Sequence, residues 1–106
     1  MENTLINNYD AIEKIIYEEG LRIEAVDIHP ELDTMLILLN TKAVLHQRLS
    51  AYPRLHKADT VALLQYQFIG NGTGIYWLLL DEDLSLKGFL QDELREIVRG
   101  KNAIGV

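Results

Sequence analysis

The stretch GIYWLLLDEDLSLKGFL, residues 74–90, decides the fold of this chain. Its first half is a nearly continuous apolar run, which is typical of a strand that is buried on both faces. From Leu84 onward, apolar residues recur at the three- and four-residue spacing of an α-helix. We therefore predict a strand that ends near Leu80, followed by a helix over residues 84–99 that Gly100 ends.

Three consecutive acidic residues, Asp81, Glu82 and Asp83, separate this predicted strand from the predicted helix. A pair of carboxylates can act as acid and base, or can hold a divalent cation. Acidic residues at the start of a helix also face the positive end of its dipole, and Asp83 or Ser85 can cap its free amides. We interpret the three acids as helix-capping residues, so no catalytic residue and no metal site are predicted.

The rest of the chain completes an α+β fold. An apolar stripe with helical spacing predicts an amphipathic helix over residues 4–19. Three apolar segments within residues 21–49 predict an antiparallel β-meander, with one of its turns marked by Pro30 and Asp33. Asp59 is predicted to cap a short helix. QYQFI and IYWLLL, on either side of GNGTG, predict a short hairpin, and both amphipathic helices are expected to pack against the strands.

Composition limits the classes of function. A length of 106 residues fits one domain over residues 1–106. The net charge is −6 and the ten Lys and Arg residues are scattered, so nucleic-acid binding is not expected, because phosphate contacts need a basic face. The chain has no cysteine, which excludes a thiol nucleophile and a thiolate zinc site. We expect a cytoplasmic protein without a membrane span and without a cofactor.

Arg54 and His56 form a candidate ligand-binding set with Asp81 and Asp83. Arg54 follows Pro53 and is expected to lie near the acidic run. It can form a salt bridge to one of those acids, or it can anchor an anionic ligand, and the sequence leaves both interpretations open.

One face of the predicted strand carries Tyr76, Leu78 and Leu80, opposite the face of Trp77. If the core covers only the Trp77 face, this row is an exposed apolar patch, and such patches commonly mark protein interfaces. If one of the amphipathic helices covers the row, it belongs to the core. Both interpretations stay open, and the three residues are candidate interface residues.

AYPRLHKA, YQFIGNGTGIYW and LDEDLSLKGFL, in this order and spacing, resemble a small bacterial family catalogued as domain of unknown function 2442. The matching positions are Tyr52, Pro53, Arg54, Leu55, Gly70, Gly72, Gly74, Ile75, Trp77, Leu80–Ser85, Gly88, Phe89 and Leu90. The resemblance covers about Leu21 to Leu90, so the first helix and the extension after Leu90 lie outside it. Members often have Pro after the Trp, where this chain has Leu78, so the strand is expected to continue.

The resemblance implies an α+β domain of a cytoplasmic bacterial protein and no established reaction. Some relatives are fused to a helix-turn-helix domain or encoded beside toxin-like proteins, which implies an antitoxin-like role. We therefore predict a non-enzymatic protein-binding or regulatory accessory module that acts as a homodimer or with a small protein partner. The alternative is a small-ligand-binding protein or an enzyme that uses Arg54, His56 and the Asp81–Asp83 acids.

Overall fold

The computed structural model describes residues 9–100, which form two three-stranded antiparallel sheets and four helices. In chain order the elements are α1 (Ala11–Tyr17), β1 (Ile23–His29), β2 (Thr34–Leu39), β3 (Val44–Gln47), α2 (Pro53–His56), α3 (Thr60–Leu63), β4 (Tyr66–Ile69), β5 (Gly74–Trp77), β6 (Glu82–Ser85) and α4 (Leu86–Arg99). Single 3-10 turns occupy Pro30–Leu32, Leu49–Ala51 and Leu78–Leu80. The predicted α+β class is confirmed.

The first sheet is the predicted meander, with β2 between β1 and β3. Alternate residues of β2 are buried, and these are Met35, Ile37 and Leu39. β1 carries one irregularity, because its register against β2 shifts between Ile23 and Ala25. Such a shift bends an edge strand and interrupts its hydrogen-bonding pattern.

The second sheet has the order β4-β5-β6, so the predicted hairpin exists and has a third strand that the sequence did not predict. The prediction of one strand up to Leu80 is wrong, because β5 ends at Trp77 and a 3-10 turn follows. Asp81 then adopts a left-handed conformation with φ of 49°, which reverses the chain into β6. Asp tolerates this conformation better than most residues.

The last helix begins at Leu86, two residues later than predicted, because Leu84 belongs to β6. The side chain of Ser85 accepts a hydrogen bond from the Gly88 amide at 3.0 Å and caps the helix. Gly100 ends it with a φ of 68°, as predicted. The capping role assigned to the acidic run is therefore wrong, and Ser85 alone of the two named candidates performs it.

The first helix is shorter than the predicted range of 4–19. Within the described part of that range, only Ala11–Tyr17 is helical, and residues 4–8 lie outside the described residues. Asp10 accepts a hydrogen bond from the Glu13 amide, and the Glu13 carboxylate accepts one from the Asp10 amide. This reciprocal capping box fixes the start of α1.

The core joins both sheets to the helices. Its fully buried side chains include Ile37 of β2, Trp77 of β5 and Phe89 of α4, and Leu63 of α3 packs into the same cluster. The Trp77 indole donates a buried hydrogen bond from Nε1 to the Leu63 carbonyl oxygen at 3.0 Å. Since a buried polar group without a partner is costly, this bond satisfies two groups at once and holds α3 against the end of β5.

Lys87 connects α1 to α4. Its Nζ lies 2.9 Å from Asp10 Oδ2 and 3.0 Å from Glu13 Oε2. Hydrogen bonds from backbone amides of the capping box, followed by those from Lys87, hold the pKa values of both carboxyls below their ordinary values of 3.8 and 4.5. The two carboxylates in turn raise the pKa of Lys87.

Replacing the ammonium tests this contact. A carboxyl whose pKa is lowered by folding stabilises the folded state above its unfolded pKa, and this contribution is lost as the pH falls through the folded pKa. Lys87→Met is therefore expected to lower the thermal midpoint at neutral pH, and the difference from wild type should shrink as the pH falls below about 4. Circular dichroism measures both midpoints, with the exposed Lys57→Met as control. A difference that is the same at neutral and acid pH would contradict this prediction.

Candidate functional site

The acidic run has a different geometry from the one predicted. Glu82 and Asp83 lie on β6, opposite Trp77 and Tyr76 of β5 respectively. Successive side chains of a strand point to opposite faces, so the Glu82 and Asp83 carboxylates diverge. Asp81 lies outside the strand, in the left-handed turn. The backbone therefore does not direct these three carboxylates to one point, which an acid–base pair or a cation site would need.

Arg54 contacts the main chain of the acidic run. Its Nη1 donates to the Asp81 carbonyl oxygen at 2.7 Å and more weakly to that of Leu80 at 3.5 Å. The predicted proximity is thus correct, whereas the ion pairs within residues 9–100 include none with Arg54. The guanidinium thus bonds two successive main-chain carbonyls of the turn and helps to hold its shape. Its role as a ligand anchor stays a prediction.

His56 lies at the end of α2 and is exposed. The group it influences is Asp33, the left-handed residue before β2. The Ser50 hydroxyl donates to Asp33 Oδ2 at 2.6 Å and lowers the pKa of Asp33 most, while the charges of His56 and Arg48 lower it further. His56 is thus one of several groups that lower the pKa of Asp33, and the Ser50 hydroxyl contributes most.

A cavity of about 740 Å³ lies between β3 and α4. Three of the chain's five arginines line it, and these are Arg48, Arg95 and Arg99. Arg95 pairs with Asp92 at 3.1 Å, and Arg99 lies 3.6 Å from Glu96, so carboxylates on the same helix offset two of the three positive charges. None of the predicted site residues lines this cavity.

Tyr52 lines a second cavity, which has a volume of about 250 Å³. Its hydroxyl lies 2.6 Å from Gln47 Oε1 and 3.1 Å from Asp92 Oδ2. Burial, and then the negative charge of Asp92, raises the pKa of the Tyr52 hydroxyl, so it is a neutral hydrogen-bond donor that joins β3 to α4. Asp83 lines the second cavity. Arg54, His56 and Asp81 line neither cavity.

A group of exposed or half-buried residues without charge surrounds α3, the Leu78–Leu80 turn and the start of β4. Its aliphatic side chains are Val61, Leu64, Leu78 and Leu79, with exposed fractions of 65%, 56%, 63% and 57%. They come together because α3 lies beside the Leu78–Leu80 turn. A shallow cavity of about 210 Å³ continues the surface and is lined by Gln65, Tyr66, Gln67, Tyr76 and Leu78. We call these eight residues the uncharged surface.

The predicted interface row is not one face of a strand, because the chain leaves β5 after Trp77. Tyr76 is half-buried, Leu78 is exposed, and Leu80 is partly buried and packs against the core. A strand that continued to Leu80 would have placed Leu79 on the buried Trp77 face, and in the structure Leu79 is exposed. The proposed interface role of Tyr76, Leu78 and Leu80 stays a prediction.

Val61 and Leu64 were missed by the sequence reasoning, although a signal was present. The segment VALL, residues 61–64, is entirely apolar, and a single helical turn can bury only part of it. Ala62 and Leu63 take the buried positions, which leaves Val61 and Leu64 outside.

Residues 9–100 provide neither a metal site nor a membrane-spanning helix. No group of three or more His, Asp or Glu side chains in this part of the chain is arranged to hold a metal ion. None of its helices is long and apolar enough to cross a bilayer.

Substitutions at Asp81 separate a turn residue from a helix cap. Asp81→Gly is expected to keep the free energy of unfolding within about 1 kcal/mol of wild type, because glycine adopts positive φ without strain. Asp81→Val should lower it by about 1–2 kcal/mol, because a β-branched side chain is strained there. Urea unfolding measures both, with Asp83→Val on the extended β6 as the matched control. Equal losses for Gly and Val would contradict the turn role.

Comparison with solved structures supports the fold. A crystal structure of a protein of unknown function from Rhodospirillum rubrum has a TM-score of 0.61 and 22% identity, over 69% of this chain and 88% of that one. A solution NMR structure of an uncharacterized protein from Chromobacterium violaceum has a TM-score of 0.61 and 24% identity, over 80% and 81% of the two chains. At these identities the likeness shows the fold alone.

No curated protein matches the chain. A family model described as "Protein of unknown function (DUF2442)" matches residues 23–93, which is more than half of the chain. The match leaves α1 outside and ends within α4, close to the extent that the resemblance predicted. The chain therefore belongs to the DUF2442 family of proteins of unknown function.

Proposed function

We propose that the protein is a non-enzymatic protein-binding module with a regulatory accessory role, and that the uncharged surface binds its partner. The observation that carries the proposal is the group of four aliphatic side chains, Val61, Leu64, Leu78 and Leu79, each more than half exposed and brought together by two adjacent elements. Contiguous apolar surfaces of this kind commonly mark interaction sites.

Burial of these four side chains supplies the driving force for association. Fully burying a Val or Leu side chain is worth roughly 1.5–3 kcal/mol, so covering four that are now more than half exposed is a substantial driving force for association. The cost of association and of ordering side chains reduces the net gain. Tyr66 and Tyr76, which belong to the same surface, add the amphipathic aromatic side chains that are common in interfaces.

The net charge of the chain bears on which partner the surface can bind. The chain has a net charge of −6, so two copies repel one another over most of their surface. None of the eight residues of the uncharged surface is Asp, Glu, Lys, Arg or His, and contact there adds no like-charge pair. We therefore take the partner to be a second copy of the chain, and a small protein partner is the other outcome of the test.

The alternative function, a ligand-binding protein or an enzyme, receives less support from the geometry. Of its proposed residues only Asp83 lines one of the three cavities, while Arg54 is bonded to the Asp81 carbonyl and His56 acts on Asp33. Catalytic groups need to lie within hydrogen-bonding reach of one substrate. The antitoxin-like role rests on the family resemblance and is part of the proposal.

Leu78→Asp tests the uncharged surface directly. The wild-type chain is expected to approach twice its mass of 12.1 kDa in light scattering at high micromolar concentration. Leu78→Asp should raise the dissociation constant at least about tenfold, since tenfold corresponds to only 1.4 kcal/mol and a buried carboxylate costs more.

Leu94→Asp is the matched control, because Leu94 is an exposed leucine on α4, away from the uncharged surface. It should associate like wild type. A wild-type chain that stays monomeric would contradict a second copy as the partner, and equal behaviour of the two variants would contradict the role of the uncharged surface. Circular dichroism confirms that both variants are folded.

A further inference from the structure

The two sheets expose four edge strands, and three of them carry features that prevent pairing. β1 has a register irregularity and the charged residues Glu24 and Asp27. β6 carries Glu82 and Asp83 in adjacent positions. β3 lies beside α4, which covers that side of the first sheet. Proteins protect edge strands in these ways, because unpaired amides and carbonyls otherwise recruit another strand.

β4 is the edge strand without such protection. Its residues, Tyr66, Gln67, Phe68 and Ile69, include no charge and no proline, and its register against β5 is uninterrupted. Aromatic and β-branched residues favour strand pairing. Phe68 is 40% exposed even though it lies on the same face as the fully buried Ile75 opposite it. The strand therefore offers both backbone groups and apolar area to a partner.

We propose that β4 pairs in antiparallel fashion with β4 of a second copy, across a two-fold axis at Gln67, so that two three-stranded sheets become one of six strands. This inference rests on the proposed function, in which the uncharged surface binds a second copy, and it adds the backbone contact between the two copies. β4 borders that surface, because Tyr66 and Gln67 belong to both.

The two-fold axis determines which residues meet. An axis perpendicular to the sheet keeps each face on the same side, so opposed residues must share a face. With the axis at Gln67, Tyr66 of each copy faces Phe68 of the other, and the two Gln67 carboxamides face each other. Cross-strand aromatic pairs contribute about 0.2–1 kcal/mol each, and carboxamides can both donate and accept hydrogen bonds.

The aromatic side chains of β4 are already held in place for this contact. The Tyr66 ring lies 6.1 Å from that of Trp77 and 6.0 Å from that of Phe68, measured between centroids. The Tyr66 hydroxyl also donates a long hydrogen bond, 3.4 Å, to the Val26 carbonyl oxygen. Little side-chain freedom is therefore lost on pairing, which favours association.

Cysteine cross-linking tests the axis, and the chain has no cysteine that would interfere. Directly opposed residues of antiparallel strands have Cα atoms about 4.5–5.5 Å apart, which falls within the range that a disulfide spans. Gln67→Cys is expected to form a covalent dimer under mild oxidation, at least about tenfold faster than Thr41→Cys on the exposed turn between β2 and β3.

Gln67→Lys provides a second test, because it places two ammonium groups opposite each other on the axis. It should raise the dissociation constant at least tenfold, whereas Val44→Lys on the exposed side of β3 should not change it. Both positions are exposed, so the substitutions should leave the fold intact, and circular dichroism checks that both variants are folded.

Each outcome decides between the proposals. Fast cross-linking of Gln67→Cys together with weakened association of Gln67→Lys supports β4 pairing. If neither variant differs from its control but Leu78→Asp still dissociates the dimer, β4 pairing is wrong and the proposed function stands. If a small protein binds the monomer through Leu78 instead, the second copy is wrong as partner. If no association depends on Leu78 or Gln67, both proposals fail.

Discussion

The hydrogen bond from the Trp77 indole to the Leu63 carbonyl fixes the geometry on which the rest depends. Trp77 is fully buried at the end of β5, and Leu63 is the last residue of α3. Their bond places α3 beside the 3-10 turn that follows Trp77. This position leaves Leu64 and Leu78, the immediate neighbours of the two bonded residues, exposed beside each other. The same tryptophan also packs against Tyr66 of β4.

The region around β4 differs from the rest of the molecule in its lack of charged side chains. Acidic residues occupy the β1 and β6 edges, and arginines paired with acids line the cavity beside α4. The region around β4 has no charged side chain from Val61 to Ile69. In a chain with a net charge of −6, an uncharged region that combines exposed aliphatic side chains with an unprotected strand is where the proposed contact between two copies would meet the least repulsion.

The sequence predicted most elements but only one of two equivalent turns. The structure uses a 3-10 turn followed by a left-handed Asp twice, at Asp33 and at Asp81. Pro30 marked the first turn, because proline interrupts a strand. The second turn is Leu78–Leu80, and an apolar run gives no such signal, so β6 was missed and the acidic run was misassigned. The exposure of Leu78 and Leu79 depends on the Trp77–Leu63 contact, and local pattern does not contain such tertiary contacts.

The most direct test of the account is the self-association of Trp77→Phe. Phenylalanine keeps much of the buried volume but cannot donate to the Leu63 carbonyl, so the free energy of unfolding should fall by about 2–4 kcal/mol while the chain stays folded. If this bond presents the uncharged surface, sedimentation velocity should show a dissociation constant raised at least about tenfold. A folded, destabilised variant that associates as tightly as wild type would contradict the account.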